Sequence, residues 1–127
     1  MKNNIYTINA EEKTLGRVAS EVAKILMGKN SPNYTPNLKP TNMVIIENAS
    51  KTKTTEKRIL KTQHERYSGY PGGFKEHTYQ QVMATHPERI LENAVAGMIP
   101  DNRLKDPRLL RLKVVVGDKN PYEKLMK

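Results

Sequence analysis

Apolar residues along this chain recur with two different periods. Ile5-Tyr6-Thr7-Ile8 is β-branched and aromatic and runs into the polar stretch Asn9-Ala10-Glu11-Glu12, which predicts a first strand. From Leu15 the spacing changes. Leu15, Val18, Ala19, Val22, Ile25 and Leu26 form one stripe of period 3.6, with Arg17, Ser20, Glu21 and Lys24 on the other side, so a helix is predicted. Gly28 is placed to stop it as a C-terminal cap. Pro32, Pro36 and Pro40 keep residues 29–42 from continuing as helix, and an extended loop is expected before a buried second strand, Met43-Val44-Ile45-Ile46. Strand, helix and strand in this order predict a right-handed parallel crossover.

The pattern is weaker from Lys51 to Arg66. A short third strand near Thr52–Thr55 and a basic excursion are assigned there. Thr78-x-x-Gln81 has the form of a capping box opening a short helix through Val82 and Met83. Thr85-x-x-Glu88, with Pro87 in the first turn, opens a longer helix carrying Ile90, Leu91, Ala94, Val95 and Met98 on one face and ending before Pro100. Asp106-Pro107 is a candidate start for a further helix through Leu110, and Leu112-Lys113-Val114-Val115-Val116-Gly117 reads as a last strand. Strands interspersed with helices give an α/β domain around a mainly parallel four-stranded sheet. The length of 127 residues suits one domain, with a short basic tail at 118–127.

Charge narrows the function. The net charge is +9, and it is unevenly distributed: residues 1–50, 51–75, 76–101 and 102–127 carry +2, +5, −3 and +5. Two basic blocks flanking an acidic helical segment point to one surface that meets a polyanion and another that meets water or a protein neighbour. Clustered cations gain from phosphates by releasing counterions, so a nucleic acid is the leading partner. A membrane is a poor rival, because apolar runs such as Met43–Ile46 and Val114–Val116 are far too short to span one. The first residues show neither an apolar leader core nor a cleavage site, and the chain has no cysteine. Both features fit a cytoplasmic protein without disulfides or thiolate metal sites.

Four places carry candidate chemistry. Lys13-Thr14-Leu15-Gly16-Arg17 sets two cations and a glycine around a helix start, where free backbone N–H groups favour phosphate. Gly16 there serves either close approach of an RNA backbone or tight packing of helix on sheet. Lys29 reads as an RNA contact or a solvated lysine beside the cap; Tyr34 reads as a base-stacking ring or a cover for the core. The run Ser68-Gly69-Tyr70-Pro71-Gly72-Gly73-Phe74, flanked by Arg66 and Lys75, can press its backbone at Gly72 and Gly73 against a sugar-phosphate chain while Tyr70 or Phe74 stacks and the cations neutralise charge. Its bland alternative is a flexible turn. Arg103, Lys105, Arg108, Arg111 and Lys113 space cations by two or three residues. On a short helix Arg108 and Arg111 share a face toward phosphate, with Leu109, Leu110 and Leu112 anchoring the segment. A solvated basic helix is the alternative.

Several of these strings, in order, resemble a known family. Lys13-Thr14-Leu15-Gly16-Arg17; Gly28-Lys29 with Tyr34-Thr35-Pro36; Asn48-Ala49; Ser68 to Gly73; His86-Pro87-Glu88-Arg89; Gly97-Met98-Ile99-Pro100; and Leu112-Lys113-Val114 are similar to the universal ribosomal large-subunit protein thirteen family in its bacterial form. The match extends over roughly residues 5–117. The resemblance implies a three-layer α/β/α sandwich and a structural role in the large ribosomal subunit. It also implies contacts with large-subunit ribosomal RNA and neighbouring ribosomal proteins, and early participation in assembly. The chain departs from the family pattern at Ile5, usually aromatic, and at Asn9 and Asn42, usually acidic. It departs again in the polar Lys51–Thr55 and at Lys105-Asp106, where a Gly-Arg pair is usual. The N-terminus and the tail after Gly117 are short for the family.

No enzyme is legible. His64, His77 and His86 lie thirteen and nine residues apart and lack metal-ligand spacing, and no nucleophile with a base or paired carboxylates is apparent. No cofactor, metal or small-molecule substrate is expected. The glycine-rich run lacks the Gly-x-x-x-x-Gly-Lys-Ser/Thr arrangement of a phosphate-transfer loop. A DNA-binding reading lacks a helix presenting base-reading side chains.

Overall fold

A computed structural model describes residues 4–39 and 41–126. The chain forms β1 (Ile5–Asn9), α1 (Leu15–Met27), β2 (Met43–Glu47), a 3-10 turn at Ala49–Lys51, α2 (Glu56–Lys61), β3 (Gln63–Tyr67) and β4 (Phe74–Thr78). It continues with α3 (Tyr79–Thr85), α4 (Pro87–Met98), α5 (Lys105–Leu109), β5 (Leu112–Val114) and α6 (Glu123–Met126). β1, β2 and β5 make a parallel sheet in that order, Tyr6 opposite Val44 opposite Leu112, and Ile8 opposite Ile46 opposite Val114. The first helix is as its stripe requires: Leu15, Val18, Ala19, Val22 and Leu26 are buried. Gly28 closes it in the left-handed region, its N–H donating to the Ile25 carbonyl while Lys29 N–H reaches Lys24.

Alternation sorts the strands between two faces. Val44 and Ile46 join Ile8 and Leu112 in one core with α1 and with Ile90, Leu91 and Val95 of α4. Complete burial of an aliphatic side chain of this size contributes about 1.5–3 kcal/mol, so this face carries most of the stability. Ile45 is buried on the opposite face, apart from that core. The segment after β5 returns there: buried Asn120 donates to the Glu47 carboxylate at 2.9 Å. The expected α/β class with a parallel sheet is found, but the expected count of four strands in that sheet is corrected. Among the described residues the parallel sheet has three strands, and the two long amphipathic helices share one core on one side of it.

The strand expected at Thr52–Thr55 is the missing fourth. That segment makes a single parallel bridge, Thr14 to Lys53. Thr52 instead turns its hydroxyl onto the Ala49 carbonyl at 2.9 Å, and the lysines beside it offer no apolar face to bury. α2 follows, with no fully buried residue. β3 and β4 then form an antiparallel hairpin separate from the main sheet. Its base is tied down: Tyr79 is buried, donates its N–H to the Thr62 carbonyl at 3.1 Å, and shares a hydroxyl hydrogen bond with Thr54 at 2.7 Å. Thr78 and Gln81 form the expected capping box at α3. The second expected box does not form. Thr85 ends α3, its hydroxyl bonded to the Gln81 carbonyl, and α4 starts from His86 with Pro87 in its first turn.

Candidate nucleic-acid interface

The long-range bridge builds the first cationic surface. Lys53 N–H donates to the Lys13 carbonyl at 3.0 Å, and Leu15 N–H to the Lys53 carbonyl at 3.3 Å, bringing the 53–58 segment beside the start of α1. Thr14, Gly16, Lys53, Thr55 and Arg58 line a cleft of about 220 Å³. The α1 N-terminus has no side-chain cap and no acidic residue in its first turn. A methyl group added at Gly16 would meet nothing within 4 Å, so internal packing does not demand glycine there. The alternative reading of Gly16 as a helix-on-sheet contact is thereby removed. Lys13 and Arg17 are both exposed around this end of the helix, Lys13 in a loose 3.5 Å pair with Glu21. Exposed pairs of this kind contribute little, leaving Lys13 open to exchange partners. Lys51 differs. The hydrogen-bonded Glu11 carboxylate, followed by the charge of Asp118, holds its ammonium above the ordinary lysine pKa, so its charge is matched within the chain.

The hairpin is the second surface. Arg66 stands directly opposite Lys75, and His64 opposite His77. Residues opposite one another and residues two apart share a face, so these four side chains form a single ladder of cations and imidazoles. The other face carries Glu65 opposite Glu76 and Tyr67 opposite Phe74. Ser68 to Gly73 form the tip, with Tyr70 turned outward at 74% exposure. Gly69 and Gly72 have φ of 85° and 73°, where other L-residues are strained. At Gly73 an added methyl would lie 2.0 Å from the Ser68 hydroxyl oxygen and 2.9 Å from the Tyr70 carbonyl oxygen. Gly72 and Gly73 thus have a conformational reason to be glycine, independent of any ligand.

The remaining candidates are dispersed. Lys29 is exposed just beyond the α1 cap, and Tyr34 lies in a separate cleft formed by the proline-containing loop. Arg103 is exposed, while Lys105 folds back to bond Asp101. Arg111 and Lys113 are half-buried, Lys113 beside Ile45 in the register and so on the face opposite the main core. Arg108 departs from expectation: it is only 3% exposed, its Nη2 donating to the Pro36 carbonyl at 3.5 Å, whereas Leu110 is 75% exposed. The expected shared phosphate-facing surface of Arg108 and Arg111 is therefore corrected. α5 turns Arg108 inward toward Pro36 and leaves Leu110 outside.

Lys53 and Arg58 do not stand out in the sequence. The available signal is the charge of the block from 51 to 75; the pairing with Thr14 crosses 39 positions and leaves no local trace. Among the described residues, no cluster of three or more His, Cys, Asp or Glu side chains is arranged to hold a metal, and no helix is long and apolar enough to cross a membrane.

Comparison with known proteins gives a consistent answer. A family model described as ribosomal protein L13 matches residues 3–121. "Large ribosomal subunit protein uL13" of Symbiobacterium thermophilum is 47% identical over 117 residues, 92% of this chain and 82% of that protein. The protein of the same name from Natranaerobius thermophilus is 46% identical over 118 residues, covering 93% and 82% respectively. That of Thermus thermophilus is 45% identical over 116 residues, covering 91% and 83%. With matches of this extent, the chain belongs to the ribosomal protein L13 family.

Proposed function

We propose that this protein is a structural constituent of the large ribosomal subunit in the cytoplasm, where it binds large-subunit ribosomal RNA, supports subunit assembly and translation, and catalyses no reaction. Family membership supports the ribosomal role. The observation that carries the RNA contact is the pairing of Arg66 with Lys75 on one exposed hairpin face, where a phosphate backbone relieves a repulsion the chain leaves unmatched. Lys13, Gly16 and Arg17, joined by Lys53 and Arg58, form a second contact at the helix start. Tyr70 at the tip is available to stack on an unpaired base, with Gly72 and Gly73 shaping the turn that presents it. Lys29, Tyr34, Arg103, Lys105, Arg111 and Lys113 are peripheral contacts to RNA or to neighbouring subunit proteins. In this reading the chain acts as one RNA-binding domain.

The test is sedimentation of a cell lysate followed by crosslinking. The protein is expected in the large-subunit fraction, with Arg66, Lys75 and Tyr70 crosslinked to ribosomal RNA by ultraviolet light. Recovery only in the ribosome-free fraction overturns the ribosomal role. Crosslinks that avoid the hairpin remove it from the interface.

A further inference from the structure

The hairpin has a face that RNA binding does not use. Glu65 lies opposite Glu76, and Tyr67 opposite Phe74, all four on the side away from Arg66 and Lys75. Tyr67 is 67% and Phe74 54% exposed, and neither glutamate forms an ion pair with another described residue. Two carboxylates facing each other repel one another and repel a phosphate chain equally, so a nucleic acid is the wrong occupant. Cross-strand neighbours on one face stand about 5 Å apart at Cβ, close enough for both carboxylates to reach one cation. The rings beside them offer π faces to the same cation.

We infer that this face is a docking surface for an arginine-bearing extended segment of a neighbouring protein. A guanidinium is planar, donates to two carboxylates at once through its fork of N–H groups and stacks on aromatic rings, which a lysine ammonium does less well. Charge complementarity selects such a partner, and the exposed rings supply the apolar area that carboxylates alone lack. The hairpin then stands between two partners of opposite charge, RNA against Arg66 and Lys75 and a basic protein segment against Glu65 and Glu76. Each partner relieves the like-charge pair on its own side.

The experiment uses the full chain, labelled with nitrogen-15 and titrated with a short synthetic peptide alternating arginine and serine. A parallel titration uses a short RNA stem-loop. The peptide is expected to shift the amide signals of Glu65, Tyr67, Phe74 and Glu76. E65Q/E76Q, which removes repulsion and so keeps the hairpin folded, is expected to weaken peptide binding about tenfold while leaving RNA affinity undiminished or raised, since two charges that repel phosphate are gone. E92Q on α4 is expected to leave peptide binding unaltered, which separates docking from general attraction to acidic groups. Peptide binding equal in wild type and E65Q/E76Q overturns the proposal. So does RNA that shifts this face and binds less tightly to Y67S/F74S, which would make RNA the occupant. Failure of the RNA reading is seen separately, as an absence of stem-loop binding at any salt concentration.

Discussion

Arg66 and Lys75 occupy partnered positions in the β3–β4 ladder, their side chains on one exposed face with no acid between them. An isolated two-stranded hairpin is marginal in water, and like charges directly opposite lower its stability further. The arrangement makes sense once a polyanion covers that face. Stability of the free chain and affinity for RNA should then respond to these charges with opposite signs.

The double variant R66Q/K75Q tests this. Removing the repulsion is expected to stabilise the hairpin by roughly 0.2–1 kcal/mol, read from slower amide exchange across the β3–β4 ladder. RNA affinity is expected to fall, and the slope of log affinity against log salt to flatten by about 1 for each phosphate no longer neutralised, about 2 for the pair. An unaltered slope would place the phosphates elsewhere.

The open space at Gly16 gives a second expectation. Gly16→Ala meets nothing within the chain, and alanine is the better helix former, so unfolding by urea should show unchanged or higher stability, by up to about 1 kcal/mol. If a phosphate chain seats in the cleft with Lys53 and Arg58, the added methyl stands in its way, and binding of a ribosomal RNA fragment should weaken on the order of tenfold, equivalent to about 1.4 kcal/mol. Wild-type affinity in this variant would show that the RNA passes clear of the helix start. K53Q and R58Q should each reduce the salt slope if they line the same contact.

How much of this is legible in the sequence depends on whether a residue's environment is local. The α1 stripe, the Gly28 cap, β1, β2 and the Thr78–Gln81 box are set by neighbours within a few positions, and they are found where the pattern places them. The hairpin reads in sequence as a basic excursion and a loop because both its faces are polar or exposed, so Gln63–Tyr67 lacks the apolar alternation that marks a half-buried strand. The opposite error arises at Thr52–Thr55, where β-branched threonines suggest a strand that has no sheet edge to complete beyond one bridge. Of the candidate site, the helix-start cations and the glycine-rich tip are visible as motifs. The opposition of Arg66 to Lys75 and the approach of Lys53 to Thr14 depend on register and tertiary pairing, which spacing does not encode. Arg108 and Leu110 exchange their expected places because polarity normally decides which side of a helix faces out, and α5 is too short to hold a stripe.

The tip of the hairpin should be sensitive to small changes that leave the core alone. The Ser68 N–H donates to the Gly73 carbonyl at 3.4 Å and the Gly73 N–H to the Tyr70 carbonyl at 2.9 Å, so the backbone around Gly73 is held on both sides. Gly73→Ala places a methyl against the Ser68 hydroxyl and the Tyr70 carbonyl, and loss of cross-strand nuclear Overhauser signals between Tyr67 and Phe74 is expected. Adding Ser68→Ala relieves the first clash but not the second, so only partial recovery should follow. Because no hairpin residue belongs to the core, the urea midpoint should move by less than about 0.5 kcal/mol in free energy. A large global loss would mean that the hairpin is coupled to the sheet far more tightly than its separate ladder implies.

Arg108 presents the sharpest contrast between a residue's charge and its place. Its guanidinium is buried without an ion pair to any described residue; its Nε has no hydrogen-bond partner, and the one bond from Nη2 is long. Burying a charge under these conditions costs free energy that burial of the aliphatic stem offsets. Arg108→Met keeps the stem's volume and discards the charge, so chemical denaturation should find it within about 1 kcal/mol of the wild type, or more stable. Arg108→Ala removes the packing as well and should lose about 2 kcal/mol or more. If the side chain stays inward in the assembled subunit, the methionine variant should also bind RNA with the wild-type salt slope. A reduced slope for Arg108→Met would show instead that α5 rotates on binding and delivers this arginine to a phosphate.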